Sequence, residues 1–123
     1  MIERLVGRRI LLVEDEVLIA MMLEESCLDA GCHVVGPFGR LAEAMDAAKT
    51  ESADAAILDV NIAGEKIYPV AELLEQRGVP FLLLSGYGEQ AVPAYRPHWP
   101  VCAKPFNIAD VLGRLAALLP PGA

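Results

Sequence analysis

The amino-acid sequence predicts an α/β fold: a five-stranded parallel sheet with helices on both faces. Short apolar runs alternate five times with stretches of helical periodicity, the pattern of strands joined by crossover helices. The runs show little apolar–polar alternation, as expected of strands covered on both sides. Helix stops such as Gly31, Gly78 and Pro120 close the helical stretches.

The first predicted strand, residues 9–13, leads into Glu14 and Asp15. A helix is expected over about 16–30, with Ile19, Met22, Leu23 and Cys27 at core spacing, an acidic start suited to the helix dipole, and Gly31 as its end. Leu18 and Met21 exceed one core-facing stripe and read equally as a partner surface or as scattered apolar surface. A strand at 33–36 precedes a helix at roughly 41–50, and a strand at 55–58 precedes a helix that starts near Pro69 and ends before Gly78. The fourth strand, 81–84, is followed by the awkward stretch 86–100. Pro93, Pro97 and Pro100 interrupt backbone hydrogen bonding there, so a short helix or loop is expected, with 93–100 mobile. A strand at 101–103 and a helix at about 108–119, N-capped by Asn107 and stopped by Pro120, complete the pattern. The final Pro-Pro-Gly-Ala reads as a frayed tail.

A length of 123 residues suits one domain, expected over 1–123 with a core of about 9–119 and no room for a separate catalytic or DNA-binding module. With 54% hydrophobic and 22% charged residues, the chain has material for a packed core. A net charge of −7 argues against nucleic acid as a partner, because nucleic acid is met by basic patches. Cys27, Cys32 and Cys102 are odd in number and lack CxxC spacing, so neither a disulfide framework nor a zinc site is expected and a reducing cytoplasm fits. No signal peptide is read at the start. The longest later apolar run, 17–23, has seven residues where roughly 20 span a bilayer, so no membrane association is expected. His33 and His98 belong to no ligand spacing and are expected on the surface.

In an open parallel sheet, ligands bind beyond the carboxyl ends of the strands. There the sequence places Glu14 and Asp15 after the first strand, Asp59 after the third, Ser85 after the fourth and Lys104 after the fifth. Taken singly, the acidic pair reads as a solvated turn, Asp59 as a turn residue and Lys104 as a surface lysine. Together they supply the carboxylates, hydroxyl and ammonium that phosphoryl chemistry uses.

Val13-Glu14-Asp15-Glu16, Leu58-Asp59, Ser85-Gly86 and Lys104-Pro105-Phe106 resemble the receiver domain of bacterial two-component response regulators over nearly the whole chain. The resemblance implies a flavodoxin-like sheet in the order 2-1-3-4-5, with Asp59 as phosphoacceptor, Glu14 and Asp15 as the acidic pair, Ser85 as the hydroxyl and Lys104 as the lysine. It also implies Mg²⁺, or Mn²⁺, held by Glu14, Asp15, Asp59 and the backbone carbonyl of Asn61. A histidine kinase or histidine phosphotransfer protein is the implied donor; the downstream protein is unspecified and a homodimer stays open.

That strand order makes physical sense of the spacing. The first strand lies beside the third, so Asp15 and Asp59 face one gap. Adjacent strands are about 4.8 Å apart, so a short hydroxyl suffices at Ser85, whereas Lys104, two strands away, needs its long side chain. Like-charged carboxylates about 4 Å apart cost on the order of 4 kcal/mol at an effective dielectric near 20, and a hard cation relieves that cost.

Some residues depart from the family pattern. Val101 stands where members often carry an aromatic switch residue, three positions before the lysine. The stretch 81–88 partly resembles a subgroup carrying Phe-Ala-Thr-Gly followed by Gly or Tyr, with Leu83, Leu84 and Ser85 in place of Phe-Ala-Thr. Asn61 and Tyr87 sit where members tune dephosphorylation, and the Tyr87 ring is expected to cover the phosphoryl group and limit water.

The expected function is a stand-alone signalling module, not an enzyme, that acts by protein contact, as a phosphoryl sink, or as a relay. A haloacid-dehalogenase-type phosphatase is the rival, but its Asp-x-Asp general acid is replaced here by Asn61, and no cap domain is evident. A pseudo-receiver that binds partners without phosphorylation is the third reading.

Overall fold

The structure, a computed structural model, describes residues 2–86 and 92–120. The expectations for Tyr87 and for the tail beyond Pro120 lie outside the described residues. Five parallel strands form the sheet: β1 (Arg9–Val13), β2 (His33–Phe38), β3 (Ala55–Asp59), β6 (Phe81–Ser85) and β7 (Val101–Ala103). Their order is β2-β1-β3-β6-β7, which is the expected 2-1-3-4-5 once a small hairpin, β4 (Asn61–Ile62) and β5 (Glu65–Lys66), is set aside. Among the described residues there are four α-helices: α1 (Val17–Asp29), α2 (Leu41–Thr50), α3 (Tyr68–Gln76) and α4 (Ile108–Leu118).

The strands bury both faces, and alternate residues feed two cores. Leu11, Val13, Ala56, Leu58 and Leu83 pack on α2 and α3 through Ala44, Ala48, Val70, Ala71 and Leu74. Ile10, Leu12, Ile57, Leu82 and Leu84 face the other way, onto Leu23 and Cys27 of α1 and Val111, Leu115 and Ala116 of α4. Strand ends therefore project from a rigid, dry sheet. β3 and β6 each run one residue further than expected, so Asp59 and Ser85 are the last residues of their strands.

The phase of α1 differs from the expected one. Its buried face is Ala20, Leu23 and Cys27, whereas Met22, expected in the core, is exposed. At 100° per residue Met22 lies well off the stripe through Leu23 and Cys27. Val17, Leu18, Met21 and Leu28 are exposed as well. Asn107 caps α4 as expected, its side chain accepting from the Asp110 N–H at 3.2 Å.

The stretch after β6 contains no helix among its described residues, 92–100. Glu75 on α3 pins part of it: its carboxylate accepts from Trp99 Nε1 at 2.8 Å, lies 2.8 Å from His98 Nε2, and pairs with Arg96 Nε at 3.1 Å. The Trp99 ring is buried edge-on against Phe81, with centroids 5.3 Å apart. His98 is thus on the surface as expected, but with a partner, and His33 is exposed.

The N-terminal segment was expected to lie outside the core; instead a 3-10 turn, Ile2–Leu5, places Leu5 fully buried between α1 and α4. Arg4 Nη1 ties the turn to the Leu119 carbonyl at 3.3 Å. Leu5→Ala is expected to cost about 2–5 kcal/mol of stability, read from the midpoint of denaturant unfolding. A cost below about 0.5 kcal/mol, the level of a surface substitution, would show the turn to be dispensable.

Candidate functional site

The site lies at the carboxyl edge of the sheet, where β1, β3, β6 and β7 end side by side. Glu14 follows β1 and is held by its backbone, whose N–H donates to the Phe38 carbonyl at 2.9 Å. Its Oε2 accepts from the Glu16 N–H at 3.1 Å, which turns the carboxylate back over the start of α1. Asp15 is exposed, with Oδ2 accepting from the Ala63 N–H at 2.9 Å. That donor comes from the β4–β5 turn, where Ala63 and Gly64 both have positive φ, the backbone of a tight hairpin. The hairpin was not foreseen. Its clearest sequence signal is Gly64, five residues beyond Asp59.

Asp59 is buried at the end of β3, its Oδ1 accepting from the Asn61 N–H at 3.3 Å. Carboxylate oxygens of Glu14, Asp15 and Asp59 lie within 4.8 Å of one another. Lys104 leaves the end of β7, anchored by its N–H to the Ser85 carbonyl at 2.8 Å. Its Nζ reaches back to Asp59 Oδ2 at 3.2 Å and Glu14 Oε1 at 3.7 Å. Ser85 is buried at the end of β6, the strand beside β3. Asn61 lines the same cleft, of about 500 Å³, with Asp15, Glu16, Asp59, Gly86 and Lys104. Its side-chain Oδ1 accepts from Lys66 Nζ at 2.6 Å. All six site residues singled out from the sequence thus lie around one cleft edge, and Lys66 and the Ala63 amide are additions that sequence reasoning missed.

The electrostatics are those of crowded carboxylates. Burial, reinforced by contact with Asp59, pushes the Glu14 carboxyl up to about 8. Burial also works against the Lys104 ammonium, but the Asp59 and Glu14 carboxylates outweigh it and hold the lysine above its usual range. Among the described residues, Glu14 Oε1 is buried without a hydrogen-bond donor. A buried carboxylate oxygen without a donor, beside two further carboxylates, is a donor set that fits a hard divalent ion such as Mg²⁺.

Cation binding there is linked to pH. The folded protein retains a proton on Glu14 from the ordinary glutamate range up to about 8, so the metal-free fold loses stability as pH rises through that window. A cation needs the deprotonated form and releases that proton. Mg²⁺ affinity, measured calorimetrically, is therefore expected to climb by up to about tenfold per pH unit below the Glu14 pKa and to level off above it. Equal affinity at pH values about two units apart on the acid side of that pKa would contradict this assignment.

A doubly wound parallel sheet carrying a carboxylate cluster and a returning lysine at its carboxyl edge is the architecture of a two-component receiver. The chain belongs to the response regulator receiver domain family, whose profile matches residues 10–115. It is 31% identical over 111 residues to the transcriptional regulatory protein PdtaR of Mycobacterium tuberculosis, covering 87% of this chain and 54% of that protein. Among solved structures, SdrG from Sphingomonas melonis superposes with a TM-score of 0.76 at 40% identity, covering 93% of this chain and 97% of that one. The response regulator PhyR from Brucella abortus gives 0.80 at 26% identity, covering 96% and 50%. The chain thus spans about half the length of PdtaR and PhyR and nearly all of SdrG. Receiver domains typically bind Mg²⁺ at such an acidic cluster, here Glu14, Asp15 and Asp59, and interact with histidine kinases and downstream partners. Among the described residues no helix is long and apolar enough to cross a membrane.

Proposed function

We propose that Asp59 is the phosphoacceptor of the receiver domain formed by residues 1–123, charged by a histidine kinase or histidine phosphotransfer protein. The observation that carries this reading is the buried Asp59 carboxylate inside a three-carboxylate cluster, with Lys104 Nζ at 3.2 Å. Glu14, Asp15, Asp59 and the Asn61 backbone carbonyl would hold Mg²⁺, or Mn²⁺. When bound, the ion supplies positive charge against the carboxylates and the phosphoryl oxygens.

The chain's own residues do the rest. An Asp59 oxygen attacks phosphorus as the bond from phosphorus to the donor breaks, giving an aspartyl phosphate. The Asn61 N–H, on Oδ1, orients the carboxylate. The Lys104 ammonium, displaced from Oδ2, passes to the phosphoryl oxygens, and the Ser85 hydroxyl, at the end of the neighbouring strand, donates to another. The BeF3-activated conformation of SdrG, a structure 40% identical to this chain, supports the reading, since trifluoroberyllate is a tetrahedral stand-in for a phosphoryl group.

The phosphorylated form then acts in the cytoplasm through protein contact or as a phosphoryl relay or sink, and not as an enzyme. The partial likeness of the sequence over 81–88, with Leu83, Leu84 and Ser85 in place of Phe-Ala-Thr, supports a kinship with the Phe-Ala-Thr-Gly-Gly/Tyr subgroup. Incubation with Mg²⁺ and acetyl phosphate, read by intact mass, is expected to show a single phosphoryl adduct. Steady turnover of a phosphate ester without an accumulating adduct would instead support the haloacid-dehalogenase-type phosphatase.

A further inference from the structure

The end of α1 brings two thiols together, whereas the carboxylate cluster lies at the start of that helix. Gly31, with a φ of +91°, reverses the backbone there. The Cys32 N–H then donates to the Cys27 carbonyl at 2.9 Å, and the Gly31 N–H to the Leu28 carbonyl at 3.0 Å. This pair of bonds is the Schellman closure, in which the side chains at the Cys27 and Cys32 positions pack against each other. The backbone bond also limits the distance between the two Cα atoms. With only a carbonyl and an N–Cα bond on either side of the 2.9 Å contact, their separation stays within about 6.8 Å. That is the range a disulfide spans.

The two thiols are not equivalent. Hydrogen bonding from Cys27 lowers the Cys32 thiol, whereas the same contact, with burial, raises Cys27. Cys27 is fully buried, but Cys32 retains 5% exposure beside the exposed Gly31. The more acidic thiol is thus the more accessible one, with the second sulfur within hydrogen-bonding reach of it. That is the arrangement of an attacking and a resolving cysteine.

We propose that Cys27 and Cys32 form a reversible intramolecular disulfide when the folded protein meets hydrogen peroxide. The Cys32 thiol attacks the peroxide, the O–O bond breaks, and a Cys32 sulfenic acid and one water form. The Cys27 sulfur then attacks the Cys32 sulfur, joining the two and releasing the second water. Two thiols lose two hydrogens and two electrons, and the peroxide takes both up. The Cys32 Sγ donation to the Leu5 carbonyl, at 3.5 Å, is lost, so oxidation also releases one tie to the N-terminal turn.

The test uses the unmodified folded protein. No Lys or Arg lies between Arg9 and Arg40, so trypsin leaves both cysteines on peptide 10–40 and Cys102 on another. After peroxide and alkylation under denaturing conditions, peptide 10–40 is expected to lose two hydrogens, take up no alkyl group, and regain both alkylation sites on dithiothreitol treatment. Cys27→Ala is expected instead to stop at a dimedone-reactive Cys32. Two alkylated cysteines on that peptide, oxygen added only at Met21 or Met22, or a bridge to Cys102 or to a second chain would each overturn the proposal.

Discussion

Asp59→Asn is expected to abolish phosphoryl transfer from acetyl phosphate completely while leaving the fold intact. The amide has nearly the volume and shape of the carboxylate and keeps an oxygen for the Asn61 N–H, which now bonds Oδ1 at 3.3 Å. It is no nucleophile at phosphorus. The substitution also takes one of three carboxylates out of a cluster spanning less than 4.8 Å. With Glu14 protonated at neutral pH in the absence of metal, the like-charge pair that is relieved is Asp15 with Asp59, worth at most on the order of 4 kcal/mol at an effective dielectric near 20. Lys104 keeps Glu14 as a partner at 3.7 Å. Without added metal, the variant should therefore melt no lower than the parent. Intact mass and a thermal scan check both halves. An adduct that survives in the variant would put the acceptor elsewhere.

Lys104→Ala is expected to slow the same reaction by about 10²–10³-fold, the loss that follows removal of one well-placed donor to a developing oxyanion. The ammonium is held charged, and it is the only cation within 4.0 Å of the Glu14 and Asp59 carboxylates among the described residues. Its removal acts twice, because the Lys104 charge also opposes protonation of Glu14, so the variant should carry more protonated Glu14 at neutral pH. Asp59 remains, so the adduct should still form, slowly. Lys104→Arg restores the charge but not the compact three-donor head, and recovers only part of the rate. An alanine variant with the parent's rate would remove Lys104 from the chemistry.

The fold was legible because its strands are short apolar runs that only a sheet covered on both faces accommodates, and because Gly31, Gly78 and Pro120 punctuate the helices where the structure ends them. The carboxyl-edge residues were legible for the same reason: once strand ends are placed, Glu14, Asp59, Ser85 and Lys104 follow. What escaped was set by tertiary context. Leu5 sits in a four-residue turn too short for any period to reveal, and it is buried by α1 and α4 from opposite ends of the chain. Met22 was assigned inward because α1 is apolar nearly all round, so spacing alone left its phase open; packing on β1 chose Ala20, Leu23 and Cys27.

The β4–β5 hairpin was hidden because its turn residue Ala63 is not one that ordinarily adopts a positive φ. Yet its amide holds Asp15, and Lys66, one strand later, holds Asn61. The tether of the proline-rich stretch also came from outside it, through a single carboxylate, Glu75, on a different helix.

The central claim is that a divalent ion gathered by Glu14, Asp15 and Asp59 lets one of them carry a phosphoryl group. The most direct measurement is a beryllofluoride titration of the ¹⁵N-labelled protein, with Mg²⁺ and with excess chelator. The expected result is an adduct that forms only with Mg²⁺ and shifts the amides of Val60, Asn61, Gly86 and Lys104. No adduct on the folded protein with Mg²⁺ present, or an equal one in chelator, would contradict it.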